Sequence, residues 1–292
     1  MRPGQRPTAA CLLDGTALTL DPPVTLPSMS YFLLSNDDGI DSPALVPFYH
    51  ALSELGDVRV VVPDRERSWI GKAITRFDEI HVKTVVKESV EIAVADGFPA
   101  DCAQLGIHSL FGERPKMVIS GINVGLNNGL GFFLSSGTVG AAAEGWIAGI
   151  PAVAFSTGDV ADHRGWAEMA WSSESRPMWS KAAEVAIDVL QTILDAGYPP
   201  GVDLLNVNYA SDLDVDAPRR VTDIAKVGYD NIFREASPGR FVHDFATGLR
   251  IDNDIAGTDV EALAEGWVSI TPVRLAHSAP IDETTRAVLE RR

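Results

Sequence analysis

The stretch that decides the fold is YFLLSNDDGI at residues 31–40, in which four apolar residues run directly into a polar turn. Short apolar runs that end in this way are typical of strands buried on both faces of a parallel sheet. A helix is predicted next, from about 43 to 55, with Ser42 as its N-cap and Pro43 in its first position. A β-branched run at 58–62 then predicts the second strand.

The same alternation of strands and helices continues to about residue 211. Further strands are predicted near 80–86, 90–95, 117–120, 152–155 and 204–208, and helices near 99–111, 138–148 and 178–196. This order indicates an α/β fold, with a mainly parallel sheet that is covered by helices on both faces. After 211 the pattern changes to a polar, glycine-bearing arm with one late strand at 266–272. Residues 1–29 are expected to be a disordered extension that carries no functional residue. Alternatively, they result from translation that begins upstream of a natural start at Met29.

The composition excludes several classes of protein. The 292 residues carry 40 acidic and 24 basic side chains, a net charge of −16, which argues against nucleic-acid or anionic-membrane partners. No apolar run approaches the roughly 20 residues of a membrane span, so we expect a cytoplasmic protein with no membrane partner. Two distant cysteines indicate neither a disulfide framework nor a zinc knuckle. An anionic substrate would need a local source of positive charge.

Oxygen-bearing side chains follow three of the predicted strands. In an open parallel sheet, sites form beyond the carboxyl ends of the strands, here at 36–39, 63–68 and 121–125. These loops hold neither His nor Cys, so they suit a hard cation such as Mg²⁺ or Mn²⁺ better than zinc. The pair Asp37 and Asp38 fits either turn chemistry or cation binding, because neighbouring carboxylates repel each other unless a cation lies between them.

A glycine-rich segment, GINVGLNNGLGFFLSSGTVG at 121–140, follows the strand at 117–120. It would let the backbone approach a ligand closely, and residues 135–138 open a helix whose N-terminus is suited to an anion. The alternative is a flexible loop with an ordinary Ser cap. No G-x-G-x-x-G follows the first strand, which argues against a dinucleotide site.

Other residues carry weaker signals. The run at 64–67 is typical of a solvated, self-paired set of charges. Phe132 and Phe133 fit a packing role, with stacking on a base as the less common alternative. The six histidines show no metal-ligand spacing.

Seven motifs follow one another in the order and spacing of a known family. They are Ser35–Ile40, Val62–Ser68, Ala100–Cys102, Ser120–Asn123, Ser136–Gly140, Leu205–Asn208 and Glu265–Pro272. Over about 30–275 the sequence resembles SurE, the family of stationary-phase survival proteins. The resemblance implies a Rossmann-like three-layer core at 30–211. It also implies a β-rich oligomerisation arm and tail at 212–292, which is exchanged between subunits of a homodimer or homotetramer.

The resemblance also implies the activity and the site. SurE proteins are metal-dependent phosphatases that hydrolyse nucleoside 5′- and 3′-monophosphates, and some trim short polyphosphate. The ligands of one divalent cation per subunit, Mg²⁺ or Mn²⁺, would be Asp37, Asp38, Ser68 and Asn123. One of the two aspartates would act as the catalytic base. The substrate-binding residues would be Asn36, Asn127, Ser136, Gly137 and Thr138.

The sequence departs from the family pattern at Val124, Lys72 and Ser135, which leaves substrate preference open. One alternative is a nucleotide-binding protein of the same fold that has lost turnover. Another is a haloacid-dehalogenase-like phosphatase, which needs D-x-D after the first strand, where this chain has Asn36-x-Asp38. The large apolar residues at 228–262 predict an interface with a second copy, unless they fold back on their own domain.

Overall fold

The structure of the chain is a computed structural model. It describes residues 30–159, 163–245, 250, 254–275 and 278–290, and two short paired strands near the N-terminus, β1 (Leu12–Leu13) and β2 (Thr16–Ala17). The rest of the expected extension at 1–29 lies outside the described residues.

A nine-stranded sheet forms the centre of the molecule. The other strands in chain order are β3 (Phe32–Ser35), β4 (Val58–Pro63), β5 (Val82–Lys87), β6 (Val90–Ala95), β7 (Met117–Val124), β8 (Ala152–Gly158), β9 (Leu204–Ala210), β10 (Arg219–Val221), β11 (Phe233–Ser237), β12 (Arg240–His243) and β13 (Val268–Val273). The sheet order is β10-β13-β9-β8-β7-β3-β4-β6-β5. The six strands from β9 to β6 are parallel. Strand β5 runs antiparallel to β6, and β13 runs antiparallel to β9 and parallel to β10.

Helices cover both faces of this sheet. They are α1 (Leu45–Ser53), α2 (Pro99–His108), α3 (Gly129–Ser135), α4 (Gly137–Ile147), α5 (His163–Ala170), α6 (Arg176–Ala196), α7 (Asp259–Ala264) and α8 (Glu283–Leu289). Helices α1 and α6 pack together over one apolar cluster, and α2 and α4 pack together over the other. The predicted three-layer α/β fold is confirmed. None of the described helices combines the length and apolar composition that crossing a membrane requires.

The start of helix α1 differs from the prediction. The helix begins at Leu45 with Ala44 as its N-cap, so the expected cap at Ser42 and first position at Pro43 were wrong. The Ser42 hydroxyl is buried without a hydrogen-bond partner. Pro47 then occupies the third helical position, where the backbone N–H has no partner within the helix and its loss costs little.

The glycine-rich segment is more regular than predicted. Strand β7 continues as far as Val124, and Gly129–Ser135 form helix α3, so little of the expected loop remains. Gly121 makes the longer strand possible. It has a φ of +121°, and a Cβ there would lie 2.3 Å from the carbonyl oxygen of Phe155. Only glycine allows two backbones to approach so closely.

The C-terminal part of the chain divides between the core sheet and a separate hairpin. Strand β13 pairs with β9, β10 pairs with β13, and α7 packs against β13. Strands β11 and β12 form their own two-stranded sheet. The late strand is confirmed at 268–273, and the domain boundary between residues 211 and 212 stays a prediction. On the hairpin, Phe233 and Phe241 are 53% and 63% exposed.

Candidate metal and phosphate site

The three polar loops meet at one edge of the sheet. Strands β7, β3 and β4 are adjacent and parallel, so their carboxyl ends lie side by side. A cavity of about 200 Å³ opens there. Its lining includes Asp37, Ser68, Asn123, Asn127 and Ser136, each of which was predicted from the sequence to belong to the site. The structure therefore brings the three loops together at one cavity, and the roles of these residues stay a prediction.

Asp37 and Asp38 link the three loops through hydrogen bonds. The Asp37 carboxylate accepts one from Thr138 Oγ1 at 2.5 Å, and the Asp37 backbone carbonyl accepts one from Arg67 N at 2.7 Å. Asp38 Oδ2 accepts one from Val124 N at 3.1 Å. Both aspartates are at most 3% exposed. The carboxylates are thus held in fixed positions, away from bulk water.

The electrostatics of the pair favour a cation between or beside them. Burial raises the pKa of Asp37 from 3.8 to about 6, although the Thr138 hydrogen bonds lower it. Burial and the charge of Asp37 raise the pKa of Asp38 well above its usual value. Among the described residues that line the cavity, there is no lysine or arginine to offset these charges. The two carboxylates therefore fit a divalent cation as their counter-charge.

Two neutral side chains, Asn123 and Ser68, add further oxygen atoms beside the two carboxylates. Asn123 Nδ2 donates to Gly125 O at 2.6 Å, which leaves its amide oxygen available as an acceptor or ligand atom. Ser68 Oγ donates to Glu66 Oε1 at 2.7 Å. No group of three or more His, Cys, Asp or Glu side chains with metal-binding geometry occurs in the described part of the chain. Two carboxylates with hydroxyl and amide oxygens suit a hard cation, as Mg²⁺ or Mn²⁺ would be.

The charged run at 64–67 is only partly self-paired. Arg67 contacts Asp64 at 3.1 Å, as expected for such a run. Glu66 instead accepts the hydrogen bond from Ser68, and its charge raises the pKa values of Asp37 and Asp38. Glu66 is exposed, as expected of a solvated run, but it pairs with Ser68 at the site rather than with a charge of its own run.

Asn36 shapes the turn that carries the two aspartates. Its Oδ1 accepts from Gly39 N at 3.0 Å, and its Nδ2 donates to Gly39 O at 3.1 Å. Gly39 has a φ of +78°, and a Cβ there would lie 2.6 Å from the carbonyl carbon of Arg65. Turn chemistry and a functional site thus occur together in this loop. Both polar atoms of Asn36 are engaged within this turn. The turn therefore gives no support to the haloacid-dehalogenase-like alternative, in which this position would be an aspartate.

Asn127 is held at the cavity by neighbouring strands. Its Nδ2 donates to Ser156 Oγ at 2.8 Å, and its backbone N donates to Asn208 Oδ1 at 2.7 Å. Asn206 Nδ2 donates to the Asn127 carbonyl at 3.0 Å. The buried asparagines of β9 therefore position a loop that sequence alone would have left free.

The N-terminus of α4 packs against the Asp37 carboxylate. Ser136 caps this helix, since its Oγ accepts from Val139 N at 3.1 Å. A Cβ on Gly137 would lie 2.7 Å from Asp37 Cβ, so glycine permits the close approach. Thr138 donates to Asp37 as described above. The remaining N–H groups of this 11-residue helix favour an anion at this place.

Aromatic residues of the cavity were missed by sequence reasoning. Trp69, Trp166 and Phe245 line it together with Phe132, whereas Phe133 is 4% exposed and belongs to a core cluster. The position of Trp69 directly after Ser68 was the one available signal. The other residues come from distant parts of the chain, and no local pattern marks them.

Comparisons with known proteins agree with this geometry. A family model described as "Survival protein SurE" matches residues 32–231. The 5′-nucleotidase SurE of Archaeoglobus fulgidus is 34% identical, covering 86% of this chain and 93% of the relative. The 5′-nucleotidase SurE 1 of Thermus thermophilus is 37% identical, covering 83% and 91%. A crystal structure of the SurE protein from Aquifex aeolicus is similar with a TM-score of 0.65 at 32% identity, covering 89% and 96%.

Proposed function

The chain belongs to the SurE survival-protein family, and on this premise we propose that it is a metal-dependent 5′-nucleotidase. The reaction is hydrolysis of a nucleoside monophosphate to nucleoside and phosphate. Relatives that carry the name 5′-nucleotidase SurE align over most of this chain. The observation that carries the proposal is the meeting of Asp37, Ser68 and Asn123 at one cavity.

The proposed metal ligands are Asp37, Asp38, Ser68 and Asn123, with one Mg²⁺ or Mn²⁺ ion per subunit. When bound, such an ion acts as a Lewis acid on phosphate oxygens and makes nearby water a better nucleophile. Two buried carboxylates with raised pKa values and no lining Lys or Arg support this assignment. Val124 stands where the family usually has Arg, so this chain depends more fully on the cation for positive charge.

The chain's own residues would bind and orient the phosphate. Asn127 reaches the cavity on a loop that β8 and β9 hold in place. Its Nδ2 donates one hydrogen to Ser156 Oγ, and the second would donate to a non-bridging oxygen. The N–H groups at Ser136 and Gly137 would bind non-bridging oxygens as negative charge shifts onto the leaving oxygen, while Thr138 holds the Asp37 carboxylate beside them. Either Asp37 or Asp38 would accept the proton of the attacking water. The hydrogen bond from Thr138 fixes the orientation of the Asp37 carboxylate.

We propose further that two or four copies assemble through the β11–β12 hairpin. Phe233 and Phe241 are mostly exposed on this hairpin, and Val242 is 41% exposed beside them. Large apolar side chains in one exposed patch are typical of an interface. Exchange of identical arms is a low-cost route to such an assembly.

The experiment is an assay of phosphate release from a panel of nucleoside 5′- and 3′-monophosphates and p-nitrophenyl phosphate. It is run with Mg²⁺, Mn²⁺ or EDTA. We expect release from nucleoside 5′-monophosphates with a divalent cation, and its loss in EDTA and in Asp37→Ala. Metal-dependent activity that survives Asp37→Ala would contradict the site assignment. Tight nucleotide binding without release in any metal would favour a binding protein instead.

A further inference from the structure

A cluster of five aromatic side chains lies beside the cavity. Its members are Trp69, Phe132, Tyr229, His243 and Phe245. The ring centroid of Trp69 lies 4.7 Å from His243, 5.1 Å from Tyr229, and 5.6 Å from both Phe132 and Phe245. Trp69 is thus the centre of this aromatic cluster. Three of the members, Trp69, Phe132 and Phe245, also line the cavity that holds Asp37.

The cluster is assembled from three separate parts of the chain. Trp69 follows Ser68 in the loop after β4, and Phe132 is in α3. The other three rings belong to the segment 229–245. Backbone hydrogen bonds hold the chain directly before this segment beside α3, since Leu130 N donates to Ala225 O at 2.9 Å and the next amide donates to Val227 O at 3.0 Å. The rings are therefore positioned by structure outside the cluster.

Packing alone does not account for the cluster. None of its five members is fully buried, and none belongs to the three apolar clusters of the core. Trp69 has a φ of +59°, a conformation that is unfavourable for a residue with a bulky side chain. A partly exposed aromatic wall beside a polar cavity is the usual composition of a ligand site. Strain in the backbone is also found more often at such sites than elsewhere.

The chemistry of the wall points to a flat, uncharged ring. The described lining residues include no lysine or arginine, so a second anionic group would find no counter-charge there. The cavity encloses about 200 Å³, less than the roughly 300–1,000 Å³ of pockets that enclose a whole drug-sized ligand. A cavity of this size holds a phosphate more readily than a whole nucleotide, so the group that the phosphate carries would extend beyond it. The rings of Trp69 and Phe132 line the cavity and continue into the aromatic cluster beside it.

We propose that the aromatic cluster is the subsite for the nucleotide base, with Trp69 as the central stacking residue. This rests on the proposed nucleotidase function, because it assigns the leaving group of that reaction. Aromatic side chains stack on any base, at roughly 1–3 kcal/mol per base. At 1.4 kcal/mol per factor of ten, this corresponds to about a 5- to 140-fold preference for a nucleotide over the same sugar phosphate without a base.

The experiment compares adenosine 5′-monophosphate with ribose 5-phosphate, which has the same phosphate and sugar but lacks the base. In the wild type with Mg²⁺ or Mn²⁺, kcat/KM is expected to favour the nucleotide about 5- to 140-fold. Trp69→Ala should remove most of this preference by raising KM for the nucleotide, with much less change for ribose 5-phosphate. Trp69→Phe keeps a ring and should retain the preference.

Two further variants separate stacking from other effects. Phe132→Ala removes a ring from α3 without altering the loop that carries Ser68, and should reduce the preference in the same direction. Phe111→Ala is the matched control, because Phe111 pairs with Tyr31 at 5.5 Å and does not line the cavity. It should leave the ratio of the two kcat/KM values unchanged.

The outcomes distinguish this inference from the function on which it rests. If Trp69→Ala and Phe132→Ala lower kcat/KM equally for both substrates, the proposed base subsite is wrong. The proposed phosphatase function would not be affected by that result. A wild type without preference for the nucleotide would also overturn it. A wild type that releases phosphate from neither substrate would refute the proposed function itself.

Discussion

Removing one buried charge should make the metal-free protein more stable at neutral pH. Asp37 is 2% exposed, and its pKa rises from 3.8 to about 6 because burial disfavours the ionised form. A raised folded-state pKa means that the folded protein binds the proton more tightly than the unfolded chain does. Stability is therefore lost as pH rises from about 4 to about 6, and the loss is complete above that range.

The size of the effect follows from the shift. Two units of pKa at 1.36 kcal/mol each give about 3 kcal/mol of destabilisation by Asp37 at pH 7.5. Asp37→Asn removes this charge and keeps an acceptor for the Thr138 hydroxyl. In EDTA at pH 7.5 the variant should be more stable than the wild type by up to about 3 kcal/mol, with no gain at pH 4. Mg²⁺ should stabilise the wild type and leave the variant unchanged.

The assay is urea unfolding followed by tryptophan fluorescence between pH 4 and pH 7.5, with EDTA or Mg²⁺. Asp101→Asn is the matched control, because Asp101 is a buried aspartate whose two oxygens accept from Thr75 and Phe98. An amide there places an N–H group against a donor, so this variant should lose stability. If Asp37→Asn is no more stable than the wild type at pH 7.5 in EDTA, the burial argument fails.

Three other variants test the turn, the catalytic carboxylate and the assembly. Gly39→Ala adds a Cβ 2.6 Å from a backbone carbon and should lower the free energy of unfolding by about 3 kcal/mol or more, measured from the denaturant midpoint. Gly112 has a similar φ but open space around it, so Gly112→Ala should lower this free energy by only about 1 kcal/mol. Thr138→Val removes a hydrogen bond to a carboxylate and should lower kcat/KM about 10- to 100-fold, while Thr138→Ser should largely restore it. The double change Phe233→Ser and Phe241→Ser should reduce the mass measured by light scattering, and an unchanged mass would exclude the hairpin as the interface.

Strand ends are the most informative part of the sequence. Apolar runs that stop at polar residues mark β3, β4 and β7, and parallel neighbours necessarily bring such ends together. This pattern is enough to select the loops at 36–39, 63–68 and 121–125, whereas the individual ligands Ser68 and Asn123 were named from the family resemblance. The loops could be selected because a buried parallel strand leaves a local pattern, and because its carboxyl end has a fixed place in the sheet.

Features that depend on distant contacts were not predicted. Helix α3 is short and contains two glycines, so its local propensity favours a loop. It forms where the segment 225–227 accepts its first amides and where Asp259 Oδ2 accepts from Gly129 N at 2.8 Å. The aromatic cluster likewise combines residues from three regions far apart in the chain. Such contacts leave no periodic signal in one sequence.

The net charge of −16 explains why this site needs a cation. Two basic side chains of the loop that carries Ser68 are already engaged: Lys72 forms an ion pair with the buried Glu144, and Arg67 contacts Asp64 and the Asp96 carbonyl. These contacts tie the loop to α4 and to the turn before α2, and no lysine or arginine is among the described residues that line the cavity. The positive charge must therefore come from a bound cation and from the N-terminus of α4. An acidic protein can bind an anionic substrate in this way because the attraction is confined to one edge of the sheet.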